Sequence, residues 1–516
     1  MQHAAARIAT IISSMTFDDV LAGIPLLDRG GQNPLLRGME YDSRRIPPGG
    51  LFVAMQGETT DGNRYIPKAL ELGAAAILTD SAEAFAGLRR DHPETAAALI
   101  AHGRNALALA SANFYAHPER ALKLSGVTGT NGKTTTAFLL DAILNHAGRK
   151  TVLVGTIEYH VAGSVRPSPH TTPESRDLYE LLREGVDAGA SETVMEVSSH
   201  ALEQGRVFAV PYDVAIFTNL TRDHLDFHGT MENYFAAKRR LFDGSLTEAP
   251  RVAVVNIDDP YGVRLGAAAR EAGAQTYSYG LASGDFHASD VEMKPSGMRF
   301  TLHSPAGSIA IATRLTGQVN VYNLLAACAA AFARDLSLQQ IQAGIASLEC
   351  VPGRFQTVDR GQPFTVVVDY AHTDDALRNL TALARAFVTS SGGRVLTLFG
   401  CGGDRDCAKR PLMGRAAGEG SDFVILTSDN PRSEEPSAII ADALPGLEAT
   451  GTTFAVEPDR AAAISLALRE ARAGDIVLLA GKGHEKTQTI GAHVIPFDDA
   501  AVAAAALETL QEEVRA

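Results

Sequence analysis

The sequence predicts an α/β protein of several domains, built mainly on parallel sheets with helices between the strands. The chain has 516 residues, a length that corresponds to roughly two to four domains. Short runs rich in Val, Ile and Leu recur along it, and each run ends in Gly, Asn, Asp or His. Buried parallel strands have this composition. Because ligands bind beyond the carboxyl ends of such strands, the polar residues after each run are the candidate site residues.

Three regions differ in the pattern of their residues, and we expect each to form a domain. Residues 1–103 contain a turn-rich stretch around short strands, then a segment that alternates helix and strand. Residues 104–351 begin with a helical run and continue with a series of apolar runs. Residues 352–516 contain a second such series and end in an alanine-rich helix. Each series predicts one sheet with a polar edge, and two such edges facing each other would form a cleft.

The composition argues against several classes of protein. A net charge of −14 disfavours broad nucleic-acid binding through a basic surface. The four cysteines are too few and too irregularly spaced for a disulfide framework or a zinc site, which indicates a reducing, cytoplasmic setting. The N-terminus does not have the pattern of a signal peptide, and the longest uncharged run contains amide side chains. We therefore expect a soluble protein that binds neither nucleic acid nor a membrane.

The segment VTGTNGKTT has the pattern of a phosphate-binding loop between a strand and a helix. Gly129 and Gly132 let backbone N–H groups approach phosphate oxygens. Lys133 supplies a positive charge for the β and γ phosphates, and Thr134 offers a hydroxyl to Mg²⁺. Val127 occupies the position of the first glycine in the strict Walker pattern, so a generic glycine-rich turn is the alternative.

Glu196 and His224 are the candidate metal ligands, because each follows an apolar run close to the phosphate loop in the predicted sheet. Oxygen ligands suit Mg²⁺, whereas a histidine ligand is less usual for it. The alternative for both residues is a hydrogen-bonded loop position with no metal.

Lys238 lies on the apolar face of a predicted helix. The apolar residues of that face are Met231, Tyr234, Phe235, Leu241 and Phe242. A lysine there either extends to water along its apolar neighbours or points into a site. In a site, its charge must be paired or chemically altered.

The segment SDNPR follows the apolar run FVILT. Its Ser, Asp and Asn favour a turn, and Pro431 fixes one backbone angle. Arg432 is therefore expected at the polar edge of a sheet. A solvated loop arginine is the alternative, since most charged residues are exposed.

Taken together, nine motifs resemble those of the Mur ligases of peptidoglycan synthesis. In chain order they are TGTNGKTT, MEVSSHALEQGRV, TNLTRDHLDFHGTMENYFAAK, GQVNVYNLLAA, DYAHTDDAL, GCGGDRD, KRPLMG, DNPR and GKGHE. With DSR at residues 42–44, the match extends over nearly the whole chain. The resemblance implies a UDP-muramyl substrate-binding domain over residues 1–103, a central ATP-binding domain over 104–351 with a P-loop and a parallel or mixed sheet, and a C-terminal Rossmann-like, amino-acid-binding domain over 352–516.

The resemblance also implies a reaction, in which ATP phosphorylates the D-glutamyl carboxylate of UDP-N-acetylmuramoyl-L-alanyl-D-glutamate. An amine of meso-diaminopimelate then attacks the acyl phosphate. The implied cofactors are Mg²⁺ and a CO₂-derived carbamate on Lys238, and the implied protein is a cytoplasmic monomer. A lysine-adding ligase, a ligase similar to folylpolyglutamate synthetase and a P-loop kinase are the alternatives.

Site residues follow from the resemblance position by position. The implied ATP-binding residues are Gly129, Thr130, Asn131, Gly132, Lys133, Thr134, Thr135, Asn320, Asn323 and Arg354. The implied metal ligands are Thr134, Glu196, His224 and the carbamate of Lys238, and Lys133 is the further catalytic residue. The implied UDP-muramyl-dipeptide residues are Ser43, Thr59, Thr60, Thr171, Thr172, Ser198, Gln204 and Arg206. The implied diaminopimelate residues are Arg410, Asp429, Asn430, Pro431, Arg432, Gly481 and Glu485.

Within this resemblance Arg432 has a specific expected partner. Diaminopimelate is lysine with an additional carboxylate, which an arginine can bind through two parallel hydrogen bonds. Lysine would leave the arginine unpaired. Glu58, Asp374 and Ala408 depart from the family pattern, but none of these changes removes a charged catalytic group.

Overall fold

A computed structural model describes residues 15–57, 60–161, 163–246, 248–389 and 392–515. The chain divides into two compact units. The first contains the chain as far as Asp290 together with Thr301–Ile311 and Val319–Ser347. The second contains Val291–Phe300, Ala312–Gln318 and the chain from Leu348 onwards. The predicted α/β class is confirmed, because both units are built on mainly parallel sheets with helices between the strands.

The N-terminal part of the first unit forms a five-stranded sheet of order β1-β5-β4-β3-β2. Only β1 runs antiparallel to its neighbour. The strands are β1 (Leu26–Gly30), β2 (Met39–Glu40), β3 (Leu51–Ala54), β4 (Ala76–Thr79) and β5 (Ala96–Ile100). The α-helices are Phe17–Val20, Ile66–Glu71 and Ala82–Asp91, and Gly62–Tyr65 is a 3₁₀ turn.

An eight-stranded sheet follows, of order β13-β12-β11-β6-β10-β7-β8-β9. Its strands are β6 (Lys123–Thr128), β7 (Thr151–Val154), β8 (Glu158–Val161), β9 (Ser164–Pro167), β10 (Glu192–Glu196), β11 (Val214–Phe217), β12 (Val252–Asn256) and β13 (Gln275–Tyr279). Neighbouring strands are parallel except in the pairs β7–β8 and β8–β9, which are antiparallel. Because β6 lies between β10 and β11, the residues that follow these three strands meet at one edge.

Nine α-helices of the described chain accompany this sheet or follow it. They are Gly103–Phe114, Lys133–His146, Ser175–Asp187, Ser199–Glu203, Leu225–His228, Met231–Arg239, Pro260–Glu271, Gln318–Ala333 and Leu338–Ser347, and Pro118–Arg120 is a 3₁₀ turn. A separate three-stranded sheet consists of β14 (His287–Lys294), β15 (Gly297–Ser304) and β16 (Gly307–Thr313). The apolar residues of the central strands are buried, so sheet and helices share one core.

The C-terminal part of the second unit forms a six-stranded sheet of order β17-β18-β22-β19-β20-β21, parallel except for β17. The strands are β17 (Gln356–Val358), β18 (Thr365–Asp369), β19 (Val395–Phe399), β20 (Phe423–Leu426), β21 (Thr453–Val456) and β22 (Ile476–Ala480), and a hairpin adds β23 (Thr487–Ile490) and β24 (His493–Pro496). The helices are Asp374–Val388, Lys409–Gly420, Pro436–Glu448, Arg460–Glu470 and Asp499–Arg515.

Apolar clusters cover both faces of this six-stranded sheet, as expected for a buried parallel sheet. Asp374, one of the departures from the family pattern, is the first residue of its helix, where a carboxylate stabilises the helix dipole. Across the described ranges, no helix combines the length and the apolar character that crossing a bilayer requires.

Candidate active site

The predicted phosphate loop connects β6 to the helix Lys133–His146. Gly132 precedes that helix with φ +85°, and no side chain caps the helix there. A Cβ on Gly129 would overlap the Thr218 hydroxyl, and one on Gly132 would overlap the Asn323 amide. Glycine is therefore required at both positions. The helix N-terminus carries N–H groups and a partial positive charge, which is the arrangement that binds a phosphate.

Residues after β11 fix the conformation of the loop. The backbone N–H of Thr130 donates to the Asn219 carbonyl at 2.8 Å, and that of Asn131 donates to Asn219 Oδ1 at 3.0 Å. Thr218 Oγ1 donates to the Asn131 carbonyl at 2.6 Å. The sequence analysis did not assign Thr218 or Asn219. Their position directly after an apolar run was the available signal.

Two lysines converge on the carbonyl of Gly129. Lys133 Nζ donates to it at 3.0 Å and Lys238 Nζ at 2.9 Å. Lys238 is only 1% exposed, so it does not extend to water, and its ammonium lies 4.6 Å from the centre of the Tyr234 ring. Burial, and secondly the charge of Lys133, hold the pKa of Lys238 well below its usual value. No described carboxylate forms an ion pair with Lys238.

Glu196, the last residue of β10, is fully buried beside the phosphate loop. Thr134 Oγ1 donates to its Oε2 at 3.0 Å. The backbone N–H of Thr156 donates to Oε1 at 2.7 Å, and the Thr156 hydroxyl donates to Oε2 at 3.1 Å. Thr156 is a further residue that the sequence analysis did not assign.

The oxygens of Thr134 and Glu196 fit Mg²⁺, which needs few protein ligands when phosphate and water supply the others. Within the described part of the chain, no three His, Cys, Asp or Glu side chains form a metal-binding cluster. This arrangement suits a metal that binds together with a nucleotide better than a metal bound by protein alone.

His224 belongs to a group of three histidines. Its ring centre lies 4.8 Å from that of His200 and 6.2 Å from that of Tyr234. His228 is buried, with Nε2 at 2.9 Å from Ser199 Oγ. Burial lowers the pKa of His224, so its imidazole is neutral at neutral pH, as metal ligation requires. His224 is about half exposed and is the most exposed of the three histidines.

The predicted nucleotide residues fall into both units. Asn320 and Asn323 lie on the helix Gln318–Ala333, where Asn323 Nδ2 donates to Asn320 Oδ1 at 2.9 Å. Thr136 donates to Asn323 at 3.4 Å, so the structure places this pair beside the phosphate loop. Arg354 lies in the second unit, with its guanidinium 5.0 Å from the centre of the Tyr370 ring.

Thr172 connects several of the predicted dipeptide-binding residues. Its hydroxyl donates to the Glu196 carbonyl at 2.9 Å and accepts from the Ser198 N–H at 3.0 Å. Arg206 donates to the Thr172 carbonyl at 3.1 Å and forms an ion pair with Glu174, also at 3.1 Å. These residues therefore form one group next to the candidate metal ligands.

The other predicted dipeptide residues are less closely grouped. The Thr171 hydroxyl lies 3.0 Å from that of Thr156, which places it at the same edge of the sheet. Gln204 is the C-cap residue of the helix Ser199–Glu203. Ser43 is buried and Thr60 is exposed, and both belong to the N-terminal part of the unit. Thr59 and the departure at Glu58 lie outside the described residues.

In the second unit, Arg432 lies beyond the end of β20 with φ +51°. Its backbone N–H donates to the Thr489 carbonyl at 3.0 Å, and its Nη1 donates to the Gly403 carbonyl at 2.7 Å. The guanidinium is half-buried, and it forms no ion pair with any carboxylate that the structure describes. Its Nε and Nη2 edge therefore remains for an anion.

Arg410 lies beside the same glycine loop but is engaged differently. It is 1% exposed, and its terminal nitrogens lie 2.8 Å from Glu434 and 2.8 Å from Asp442. Arg410 Nη2 also donates to the Gly402 carbonyl at 3.3 Å. Two carboxylates of the protein thus neutralise Arg410, so the structure does not present it to a ligand in the way that it presents Arg432.

The remaining pocket residues lie close to Arg432. Asn430 Nδ2 donates to Glu485 Oε2 at 2.7 Å. A Cβ on Gly481 would lie 2.7 Å from Asp429 Oδ2, so this loop approaches the carboxylate closely. Pro431, which lies between Asn430 and Arg432 in the sequence, is buried. Lys482, which the sequence analysis did not assign, donates to Glu485 Oε2 at 3.0 Å.

Comparison with known proteins gives matches along most of the chain. Family models match at residues 36–115 (Mur ligase family, catalytic domain), 127–331 (Mur ligase middle domain) and 353–483 (Mur ligase, glutamate ligase domain). The UDP-N-acetylmuramoyl-L-alanyl-D-glutamate–2,6-diaminopimelate ligase of Solibacter usitatus is 52% identical, over 90% of this chain and 92% of that protein. The ligase of the same name from Geobacillus thermodenitrificans is 44% identical, over 96% and 99%.

A solved structure of a UDP-N-acetylmuramoyl-L-alanyl-D-glutamate–2,6-diaminopimelate ligase has a similar fold. It superposes with a TM-score of 0.69 at 32% identity, covering 96% of this chain and 99% of that one. The resemblance inferred from the nine motifs is thereby confirmed. The chain belongs to the Mur ligase family.

Proposed function

We propose that this protein is the ATP-dependent ligase that joins meso-diaminopimelate to the D-glutamate of UDP-N-acetylmuramoyl-L-alanyl-D-glutamate. The reaction belongs to the cytoplasmic synthesis of peptidoglycan precursors. The observation that carries the assignment is Arg432, a half-buried guanidinium without a carboxylate partner among the described residues, in a chain whose relatives have this activity in their names.

The first step is phosphoryl transfer to the substrate. An oxygen of the D-glutamyl carboxylate attacks the γ phosphorus of ATP, a new P–O bond forms, and the bond to the β phosphate breaks to release ADP. Such a transfer needs positioning and charge neutralisation rather than a protein nucleophile. Lys133 and the N–H groups at the start of its helix supply both, because they converge on the phosphate loop.

The second step forms the amide bond. An amine of diaminopimelate attacks the acyl carbon, inorganic phosphate leaves, and the nitrogen loses a proton. The ATP-binding residues of this proposal are those of the loop 129–135 together with Asn320, Asn323 and Arg354. The residues proposed for the muramyl dipeptide are Ser43, Thr59, Thr60, Thr171, Thr172, Ser198, Gln204 and Arg206. The proposed domains are residues 1–103, 104–351 and 352–516, in a monomer.

The proposed metal ligands are Thr134, Glu196, His224 and Lys238 as a carbamate. Bound Mg²⁺ would neutralise charge on the phosphates. In the carbamate reaction, the neutral amine of Lys238 forms a bond to the carbon of CO₂ and releases a proton, so that an uncharged buried group becomes an anion. The burial of Lys238 without an ion pair supports this proposal, since an unpaired buried ammonium is costly.

The proposed diaminopimelate residues are Arg410, Asp429, Asn430, Pro431, Arg432, Gly481 and Glu485. Arg432 binds the carboxylate that lysine does not have, and Glu485 binds the distal ammonium. Arg410 shapes the loop of Gly402 and Gly403 that Arg432 contacts, because its own charge is already paired.

The test is phosphate release from ATP in the presence of UDP-N-acetylmuramoyl-L-alanyl-D-glutamate, with diaminopimelate or lysine as the acceptor. The proposal predicts release that requires both the UDP-linked dipeptide and diaminopimelate. Release with lysine instead would contradict the assignment of Arg432. Release that does not require the amine would favour a kinase.

A further inference from the structure

We propose that Lys482 is a positioning residue for the amino-acid substrate, because its buried ammonium fixes the carboxylate of Glu485 in the orientation that receives the distal ammonium. The inference rests on the proposed function, which assigns Glu485 and Asn430 to diaminopimelate. It concerns a residue that lies behind the pocket rather than one that contacts the substrate.

Three side chains form a closed set of hydrogen bonds. Lys482 is 0% exposed, and its Nζ donates to Glu485 Oε2 at 3.0 Å and to Asn430 Oδ1 at 3.3 Å. Asn430 Nδ2 donates to the same Glu485 oxygen at 2.7 Å. The backbone N–H of Thr489 donates to Asn430 Oδ1 at 2.9 Å and anchors the set to β23. Charge-assisted hydrogen bonds of this kind are directional, so they restrict the rotation of Glu485.

The other oxygen of Glu485 is the one that faces a ligand. Oε1 accepts no hydrogen bond from any residue in the described ranges, and the Glu485 side chain is 30% exposed. Because Lys482 and Asn430 fix Oε2, they also determine where Oε1 lies. Without Lys482, a single amide hydrogen bond from Asn430 would remain to orient the carboxylate.

The charges of the pocket support the same role. Asp429 Oδ1 lies 4.0 Å from Lys482 Nζ, so the ammonium is adjacent to two carboxylates. Asp429, Glu485 and Lys482 together carry one negative charge, which one substrate ammonium neutralises. Removing Lys482 would leave these two carboxylates without their shared counter-charge, and their mutual repulsion would move Glu485 Oε1 away from the position that receives the ammonium.

Steady-state kinetics distinguish this role from a general effect on folding. The variants are Lys482→Met, which removes the charge, and Lys482→Arg, whose longer side chain cannot fit without displacing Glu485 or Asn430. Lys486→Met is the matched control, because Lys486 lies four residues further along and forms an exposed ion pair with Asp498. Phosphate release is measured while diaminopimelate, ATP and the UDP-linked dipeptide are varied in turn.

We expect the KM for diaminopimelate to rise about tenfold or more in Lys482→Met and about threefold or more in Lys482→Arg. The KM values for the other two substrates stay within about twofold of the wild type, as do all values for Lys486→Met. A variant with an unchanged KM for diaminopimelate overturns the proposal, as does an equal rise in all three KM values. If Lys482→Met does not fold, Lys482→Arg decides alone. A wild-type protein without diaminopimelate-dependent release contradicts the proposed function instead.

Discussion

Replacing Arg432 by alanine separates substrate selection from catalysis. Nη1 of Arg432 already donates to the Gly403 carbonyl at 2.7 Å, and the proposed function assigns the Nε and Nη2 edge to the extra carboxylate of diaminopimelate. Two charge-assisted hydrogen bonds are worth about 1.5–3 kcal/mol each. Because the guanidinium is only half-buried, the lower end applies, and the loss is about 3 kcal/mol, or about a hundredfold in kcat/KM.

Lysine does not have that carboxylate, so the same substitution leaves its kcat/KM within about threefold. The assay is phosphate release with each amino acid varied in turn, and its readout is the ratio of the two kcat/KM values. Arg469→Ala is the control, because Arg469 forms an exposed ion pair with Glu513 at 3.2 Å, and such pairs contribute about 0–1 kcal/mol. A ratio in Arg432→Ala equal to that of the wild type would refute the role of Arg432 in selection.

Three further substitutions test separate parts of the molecule. Lys238→Ala should lose most activity without rescue by excess bicarbonate, because alanine cannot form a carbamate; near-wild-type turnover would remove that role. Gly129→Ala should abolish ATP binding, measured by calorimetry, since its Cβ would overlap the Thr218 hydroxyl. Gly87→Ala is the control and should bind ATP normally, because a Cβ at this helical position would meet only the end of the Arg90 side chain, at 3.9 Å. Burial and then Arg354 lower the pKa of His484 to about 4, so the unfolded state binds more protons between pH 6.5 and 4. Its contribution therefore makes stability fall as the pH decreases through that window, and the melting temperature of His484→Gln should fall less steeply.

Local sequence predicted the parts of the site that belong to one segment of the chain. The phosphate loop follows β6, and Glu196 ends β10, as the alternation of apolar runs and polar residues indicated. It placed Glu196 near the phosphate loop, but it did not identify the other segments that meet there. Thr156 contacts the site because β7 pairs with β10, and Thr218 and Asn219 do so because β11 pairs with β6; that strand order depends on long-range pairing. No local pattern specifies it.

Arg410 shows the same limit for a single side chain. Its motif resembles a ligand-binding one. Two carboxylates, one just before the helix Pro436–Glu448 and one within it, nevertheless neutralise the charge of Arg410. Glu434 and Asp442 lie more than twenty residues away in sequence, so the pairing becomes visible only when the helices Lys409–Gly420 and Pro436–Glu448 pack together. A charged residue in a motif can therefore already be paired within the protein, and only the packed structure shows this.

Five buried or half-buried cations differ in how their charges are balanced. Arg410, Arg460 and Lys482 are paired with carboxylates of the protein, Arg460 with Asp499 at 2.6 Å, so their charges are neutralised in the protein alone. Lys238 and Arg432 instead donate to backbone carbonyls and form no ion pair within the described chain. An unpaired buried charge is costly, and burial accordingly holds the pKa of Lys238 well below its usual value. In the proposed function, Lys238 reacts with CO₂ through its neutral amine, and the second carboxylate of diaminopimelate neutralises Arg432.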